Sequence, residues 1–290
     1  MMTIDQILTK LDHYYKEDQL TEVEPFLLSC LEDAKKEQEY GIYISVGNEL
    51  LGFYRSIGQF EAAFAVGEDV LLLMEELQLD HTVHFATTLF NVATAYRTAG
   101  KYEEALANYR RALEIYQKEL PKDDYRLAEL YSSISILLEK LNENENAALF
   151  LEKAIQIMEK QPGTRVEVAT SRTSLALIEL KMDKLEAAEK HLELAVSALK
   201  RMAERRIHTT AQRLPDSARS ATVRAVWNAP WKIMSTRCLR WKSILAEKKA
   251  TVCSAATARR SAESLDRAQK LKSMRCSAKN TARKPDRTGK

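Results

Sequence analysis

Residues 88–116 read TLFNVATAYRTAGKYEEALANYRRALEIY. From there Leu106, Tyr109, Leu113, Tyr116 and Leu120 follow one another at three- and four-residue steps, which puts them on one face of a helix. The same text recurs on both sides. Forty-two positions upstream of its fourth residue the chain reads ELLGFYRSIGQFEAAFAVGEDVLLL, and forty-two downstream it reads SISILLEKLNENENAALFLEKAIQI. Small residues hold fixed places in this alignment: Ala63, Ala105, Ala147 and Ala188 form one series, and Cys30, Val70, Ala112, Ala154 and Ala195 form another. Asp18, Gly58, Gly100, Asn142 and Asp183 stand five positions before the first series, at spacings of 40, 42, 42 and 41. Large apolar residues (Leu20, Phe60, Tyr102, Leu185) follow two places after the turn.

Each feature has a physical reason. Two antiparallel helices joined by a tight turn need a residue that tolerates positive φ, which favours Gly, Asn or Asp. Where the helix axes cross, only a small side chain fits, and aromatic or leucine side chains fill the space between crossings. A single helix pair cannot bury its apolar face, so the pairs must stack. Only Pro121 and Pro162 interrupt residues 30–200, and β-branched runs are scarce. The expected fold is all-α, a stack of antiparallel helix pairs.

These residues resemble the tetratricopeptide repeat family. The set Val92, Ala93, Tyr96, Gly100, Tyr102, Ala105, Tyr109 and Ala112 lies close to that family's pattern. Five units follow, near residues 4–37, 44–77, 86–119, 128–161 and 169–202, the first of them divergent. The spacing exceeds the family's usual period of about 34, which is similar to the long-spaced type of kinesin light chains and many bacterial regulators. That type extends the second helix before the connecting loop, here expected at Leu120–Asp124 and Gln161–Arg165. Gly67 and Asn144 at normally large positions, and Glu179 where an aromatic is expected, depart from the pattern. The resemblance implies a right-handed superhelical solenoid over residues 1–203, binding a peptide or a partner helix in its concave groove.

Charge divides the chain differently. Residues 1–200 carry 21 Lys and Arg against 35 Asp and Glu, a net −14, whereas residues 201–290 carry 23 against 6, a net +17. All 11 Tyr and 7 Phe precede residue 201, and all 3 Trp and three of the 4 Cys follow it. No apolar run reaches the roughly 18 residues of a membrane-spanning helix, and the acidic N-terminus lacks the pattern of a signal peptide. A cytoplasmic protein without membrane contact is expected. Cys30 sits on a small-residue rung and reads as a buried thiol. His81 and His84 could share a helix face, but a zinc site wants three or four ligands, and the other cysteines have no paired spacing. Acidic pairs such as Glu75–Glu76 read as solvated helix faces. No phosphate-cradling glycine loop is present. Neither an enzyme nor a cofactor is expected.

What remains is a surface. In the family the first helix of each repeat lines the groove, and counting from each unit's start puts Asn48, Arg55, Phe90, Asn91, Thr94 and Arg97 there, continued by Ser132, Ser133, Thr173 and Ser174. Arg55 and Arg97 occupy the same rung of adjacent units. Two readings stand: the guanidinium groups form a clamp for a ligand carboxylate, or they pair with glutamates of the same solenoid. Asn91 could hold a ligand backbone through its amide.

The basic segment 204–290 also has competing readings. It can be a poorly ordered basic tail or a nucleic-acid-binding arm, which would make the protein the peptide-sensing part of a transcriptional regulator. A third reading explains the abrupt change: from about Arg206 onward the chain is a further repeat read out of frame. In a frame shifted onto the last base of each codon, Trp227–Asn228 and Trp231–Lys232 each encode glutamate. Ala225 to Cys238 can then read GGMERAMEDYEYAL, with its small residue at position 230, forty-two beyond Ala188.

Overall fold

A computed structural model describes the backbone of residues 2–213 and the side-chain surroundings of residues 2–202. Of the two units into which the chain divides, the first, Met1–Met202, is described by itself. The described residues form ten α-helices in five antiparallel pairs. The pairs are α1 (Ile4–Lys16) with α2 (Leu20–Lys36), α3 (Tyr40–Ser56) with α4 (Phe60–Glu76), and α5 (Val83–Thr98) with α6 (Tyr102–Glu119). They continue with α7 (Tyr125–Lys140) and α8 (Asn144–Met158), then α9 (Arg165–Lys181) and α10 (Leu185–Arg213). No strand occurs among the described residues. The tail readings, including nucleic-acid contact and the shifted frame, fall on residues almost wholly outside those described.

The predicted turn residues carry the conformation that selected them. Asp18, Gly58, Gly100, Asn142 and Asp183 all have positive φ, between 56° and 81°. After each, a backbone N–H closes a six-residue ring onto the preceding helix, as Gln59 N–H to the Tyr54 carbonyl (2.9 Å) and Lys101 N–H to the Tyr96 carbonyl (2.9 Å). This satisfies carbonyls that the helix end leaves open. The second helices α2, α4, α6 and α8 start straight from the turn with no side-chain cap, whereas α1, α5 and α7 are capped by Thr3, Thr82 and Asp124. Two turns of the same closure lie between units, at Gln38 and Gln78, both with φ of 59°.

The rungs are the closest packing points. Ala63, Ala105, Ala147 and Ala188 are all fully buried, as are Ala112, Ala154 and Ala195 in the second series. Cys30 is buried among Val23, Leu27 and Val46, and its burial raises the thiol pKa. Gly67 is no weak spot in packing. A β-carbon there would meet Val92 Cγ2 at 2.5 Å and Leu51 Cδ1 at 2.8 Å, so neighbouring helices already occupy the space a large residue would claim.

The long period resides in the connections as well as the helices. Three residues join α2 to α3, but six join α4 to α5, five α6 to α7 and six α8 to α9. Leu120–Asp124 and Gln161–Thr164 are connecting loop, with Arg165 opening α9, and α8 at 15 residues is shorter than α6 at 18. First helices of successive units touch (α1 with α3, α3 with α5, α5 with α7), while no comparable contact joins α2 to α4 or α4 to α6. The stack therefore bends toward its first helices, which line the concave side.

Candidate functional site: the concave face

Two hydrogen-bond chains organise this face. In the first, Asn91 Nδ2 donates to Asn48 Oδ1 (2.7 Å), and Asn48 Nδ2 donates to Thr88 Oγ1 (2.9 Å) and to the Ile44 carbonyl (2.9 Å). Thr88 in turn donates to the His84 carbonyl (3.2 Å). The chain ties α3 to α5 across the unit boundary. Both asparagines are half-buried and already engaged with each other, so Asn91 is positioned by the fold before any ligand arrives.

The second chain sets Arg97. Its Nε donates to the Tyr109 hydroxyl (3.4 Å), which lies 3.0 Å from Thr94 Oγ1, and Thr94 donates to the Phe90 carbonyl (2.8 Å). One direction of donation satisfies every member: Arg97 to Tyr109, Tyr109 to Thr94, Thr94 to Phe90. Tyr109 is fully buried and Thr94 is 8% exposed. Thr94 therefore lies beneath the surface and holds the Tyr109 hydroxyl that in turn supports Arg97. The Phe90 ring, partly exposed, packs 5.7 Å from the Tyr109 ring.

Among the described residues neither Arg55 nor Arg97 makes an ion pair, so the pairing with glutamates of the same solenoid is not found. Both are half-buried in the last turns of α3 and α5. Other basic residues do pair: Arg111 with Glu75 at 3.2 Å, and Lys181 with Glu139 at 2.6 Å. Farther along, Phe90, Ser132 and Ser133 line one open depression with Tyr125, Glu129 and Thr170. Burial pushes the Glu129 carboxyl up from its ordinary value. Thr173 is half-buried with its hydroxyl on the Ala169 carbonyl (2.9 Å), and Ser174 is half-buried beside it on α9. The structure thus joins Asn48 to Asn91 and Thr94 to Arg97, and gathers Phe90, Ser132 and Ser133 in one hollow. It records no link between Arg55 and Arg97. Tyr109 was missed as a site residue because its spacing marks it as packing; only its hydroxyl signals otherwise.

Among the described residues no group of three or more His, Cys, Asp or Glu side chains is placed to hold a metal, and no helix is long and apolar enough to cross a membrane. His81 is exposed with its Nδ1 3.5 Å from Asp80. The first helices thus present hydrogen-bonded amides, a guanidinium held by a tyrosine hydroxyl and a partly exposed aromatic ring.

A curved stack of helix pairs presenting polar side chains from its first helices is the architecture of a protein–protein interaction scaffold. The model of the tetratricopeptide repeat family matches residues 48–118 and 84–160. Kinesin light chain-related protein 1 of Arabidopsis thaliana is 23% identical over 179 residues, covering 61% of this chain and 29% of that protein. Its related protein 3 is 24% identical over 186 residues, covering 64% and 28%. The chain spans less than a third of the length of these relatives. Among solved structures, BtubC (BKLC) from P. vanneervenii superimposes with a TM-score of 0.65 at 21% identity, over 69% of this chain and 80% of that one. A kinesin light chain of Podosopora anserina with nearly identical TPR-like repeats gives 0.60 at 17% identity, over 70% and 99%. The array is the all-α, right-handed superhelical solenoid of that fold. The repeats over residues 48–160 match the tetratricopeptide repeat family and are of the kinesin-light-chain-like kind.

Proposed function

We propose that the concave face formed by α3, α5 and α7 binds an extended or helical peptide segment of a partner protein and that Arg55 and Arg97 receive a carboxylate from it. The observation that carries this reading is Arg97. A buried tyrosine hydroxyl supports its guanidinium from below, and no carboxylate of the described chain neutralises it, in an array of net −14 where acids are plentiful. A guanidinium fork matches a carboxylate in two parallel hydrogen bonds, and Asn91 on the same helix offers donor and acceptor to a peptide backbone. Catalysis has no part in this reading.

Selection of a random peptide library on the full chain tests it. Enrichment of sequences bearing Asp, Glu or a free C-terminal carboxylate is expected. The Arg55→Ala/Arg97→Ala variant should bind those peptides at least tenfold more weakly, about 1.4 kcal/mol. Selected peptides without acidic groups, or ones indifferent to both arginines, would remove the clamp.

A further inference from the structure

On its outer side the solenoid has a series of junctions where the end of one second helix meets the start of the next first helix and the second helix after it, and the first and third of these open into crevices. Equivalent rungs furnish each junction. The position five after the small-residue rung is Lys35, Glu75, Gln117 or Glu159, and the position one before the next rung is Asp69, Arg111, Lys153 or Leu194.

At three junctions the charges offset one another. Lys35 shares the first with Asp69 and Glu76. Arg111 pairs with Glu75 at 3.2 Å in the second and lies over the Phe85 ring, 5.6 Å from its centre. Glu159 pairs with Arg172 in the fourth. The third is different. It holds Lys122 from the α6–α7 loop and Lys153 and Lys160 from α8, with Gln117 standing where Glu75 stood. Among the described residues none of these lysines makes an ion pair. Of the two carboxylates in that loop, Asp124 is held by Arg126 at 2.9 and 2.7 Å, and Asp123 does not line the crevice.

The remaining lining carries no formal negative charge: it is Gln117, Gln156, Tyr131, Leu127 and Ile157. Gln117 Nε2 donates to the Tyr131 hydroxyl at 3.1 Å, which leaves the tyrosine proton free to point outward. Lys153 Nζ is set over the Phe150 and Tyr131 rings, 5.4 and 5.8 Å from their centres, a placement that favours a cation. Leu127 and Ile157 form an apolar floor.

We propose that this third crevice is an anion-binding site and that its ligand is a phosphate monoester or phosphate itself. Three ammonium groups call for more than one negative charge, which a phosphate dianion brings and a lone carboxylate does not. A large acidic protein surface would meet the repulsion of an array with net −14. A compact dianion needs only the local field, since neighbouring charges beyond about 8–10 Å are screened. The site lies on the face opposite the peptide groove and does not depend on that reading.

Isothermal titration of the full chain at constant ionic strength, with inorganic phosphate in one arm and phenyl phosphate in the other, tests the proposal. At least one anion should bind saturably. The Lys153→Gln/Lys160→Gln variant, checked for unchanged helical circular dichroism, should lose at least tenfold in affinity, while Lys181→Gln should bind like the parent. Comparable binding of both anions identifies phosphate as sufficient; binding of phenyl phosphate alone identifies an ester, such as a phosphorylated side chain. No saturable binding of either, or a double variant that binds like the parent, would overturn the proposal.

Discussion

Gln38 and Gln78 hold a left-handed backbone that the other tight turns assign to Gly, Asn or Asp. A side chain with a β-carbon costs roughly 1–2 kcal/mol in that conformation, part of which glycine returns as lost chain entropy. Gln38→Gly and Gln78→Gly are each expected to stabilise the array by about 0.5–1 kcal/mol, read as a higher midpoint of urea unfolding. These two turns were invisible in the sequence because glutamine carries no turn signature, whereas Asp18 and Asn142 announced theirs. Glu179 was visible as a departure, and its consequence needed the structure. The side chain is buried, 3.7 Å from His191 Nε2, and burial pushes its carboxyl up to about 7 with help from Glu152, while Lys184 opposes. Burial pushes His191 down, with Arg172 and Lys190 adding and Glu159 opposing, so both groups favour their neutral forms. A carboxyl whose folded value lies above its ordinary 4.5 contributes stability that is full below about 4.5 and lost as pH rises through about 7. Glu179→Gln should therefore leave the melting temperature near pH 5 almost unchanged and raise it at pH 8. An equal shift at both values would show that the buried charge is not the cause.

At the scale of helices, periodicity and small rungs pointed to stacked antiparallel helix pairs, and the described residues form such pairs, because close helix crossing leaves few residue choices and so writes itself into the chain. The sequence marked Gly67 as small at a normally large position. In the structure Val92 and Leu51 fill that space from α5 and α3, bringing α4 closer than a larger residue would allow. Gly67→Ala, ordinarily favourable within a helix, should here cost about 1–3 kcal/mol through overpacking. A rise in the thermal midpoint would refute this close approach. The concave face was legible as a list of positions but not as an arrangement. The resemblance to the repeat family implied one side for Asn48 and Asn91, yet their mutual bond and the Tyr109 support under Arg97 depend on side-chain directions. The lysine crevice lay hidden for another reason: a net −14 summed over two hundred residues conceals three lysines that only folding brings together.

For the molecule as a whole, the array and the basic segment make separate predictions. If the residues beyond about Arg206 are a repeat read out of step, the nucleotide sequence overlapping codons 206–290 should contain a second open frame. That frame should restore turn glycines and small rungs at the array's own period, and stop codons scattered through it would exclude the reading. The functional account rests instead on which face of the solenoid meets a partner. Hydrogen–deuterium exchange on the full chain, with and without an acidic peptide selected on it, tests that claim most directly. The account predicts slower exchange in α3, α5 and α7, strongest in the last turns around Arg55 and Arg97 and absent in the Arg55→Ala/Arg97→Ala variant. Protection confined to α4, α6 and α8, or unchanged by loss of both arginines, would contradict it.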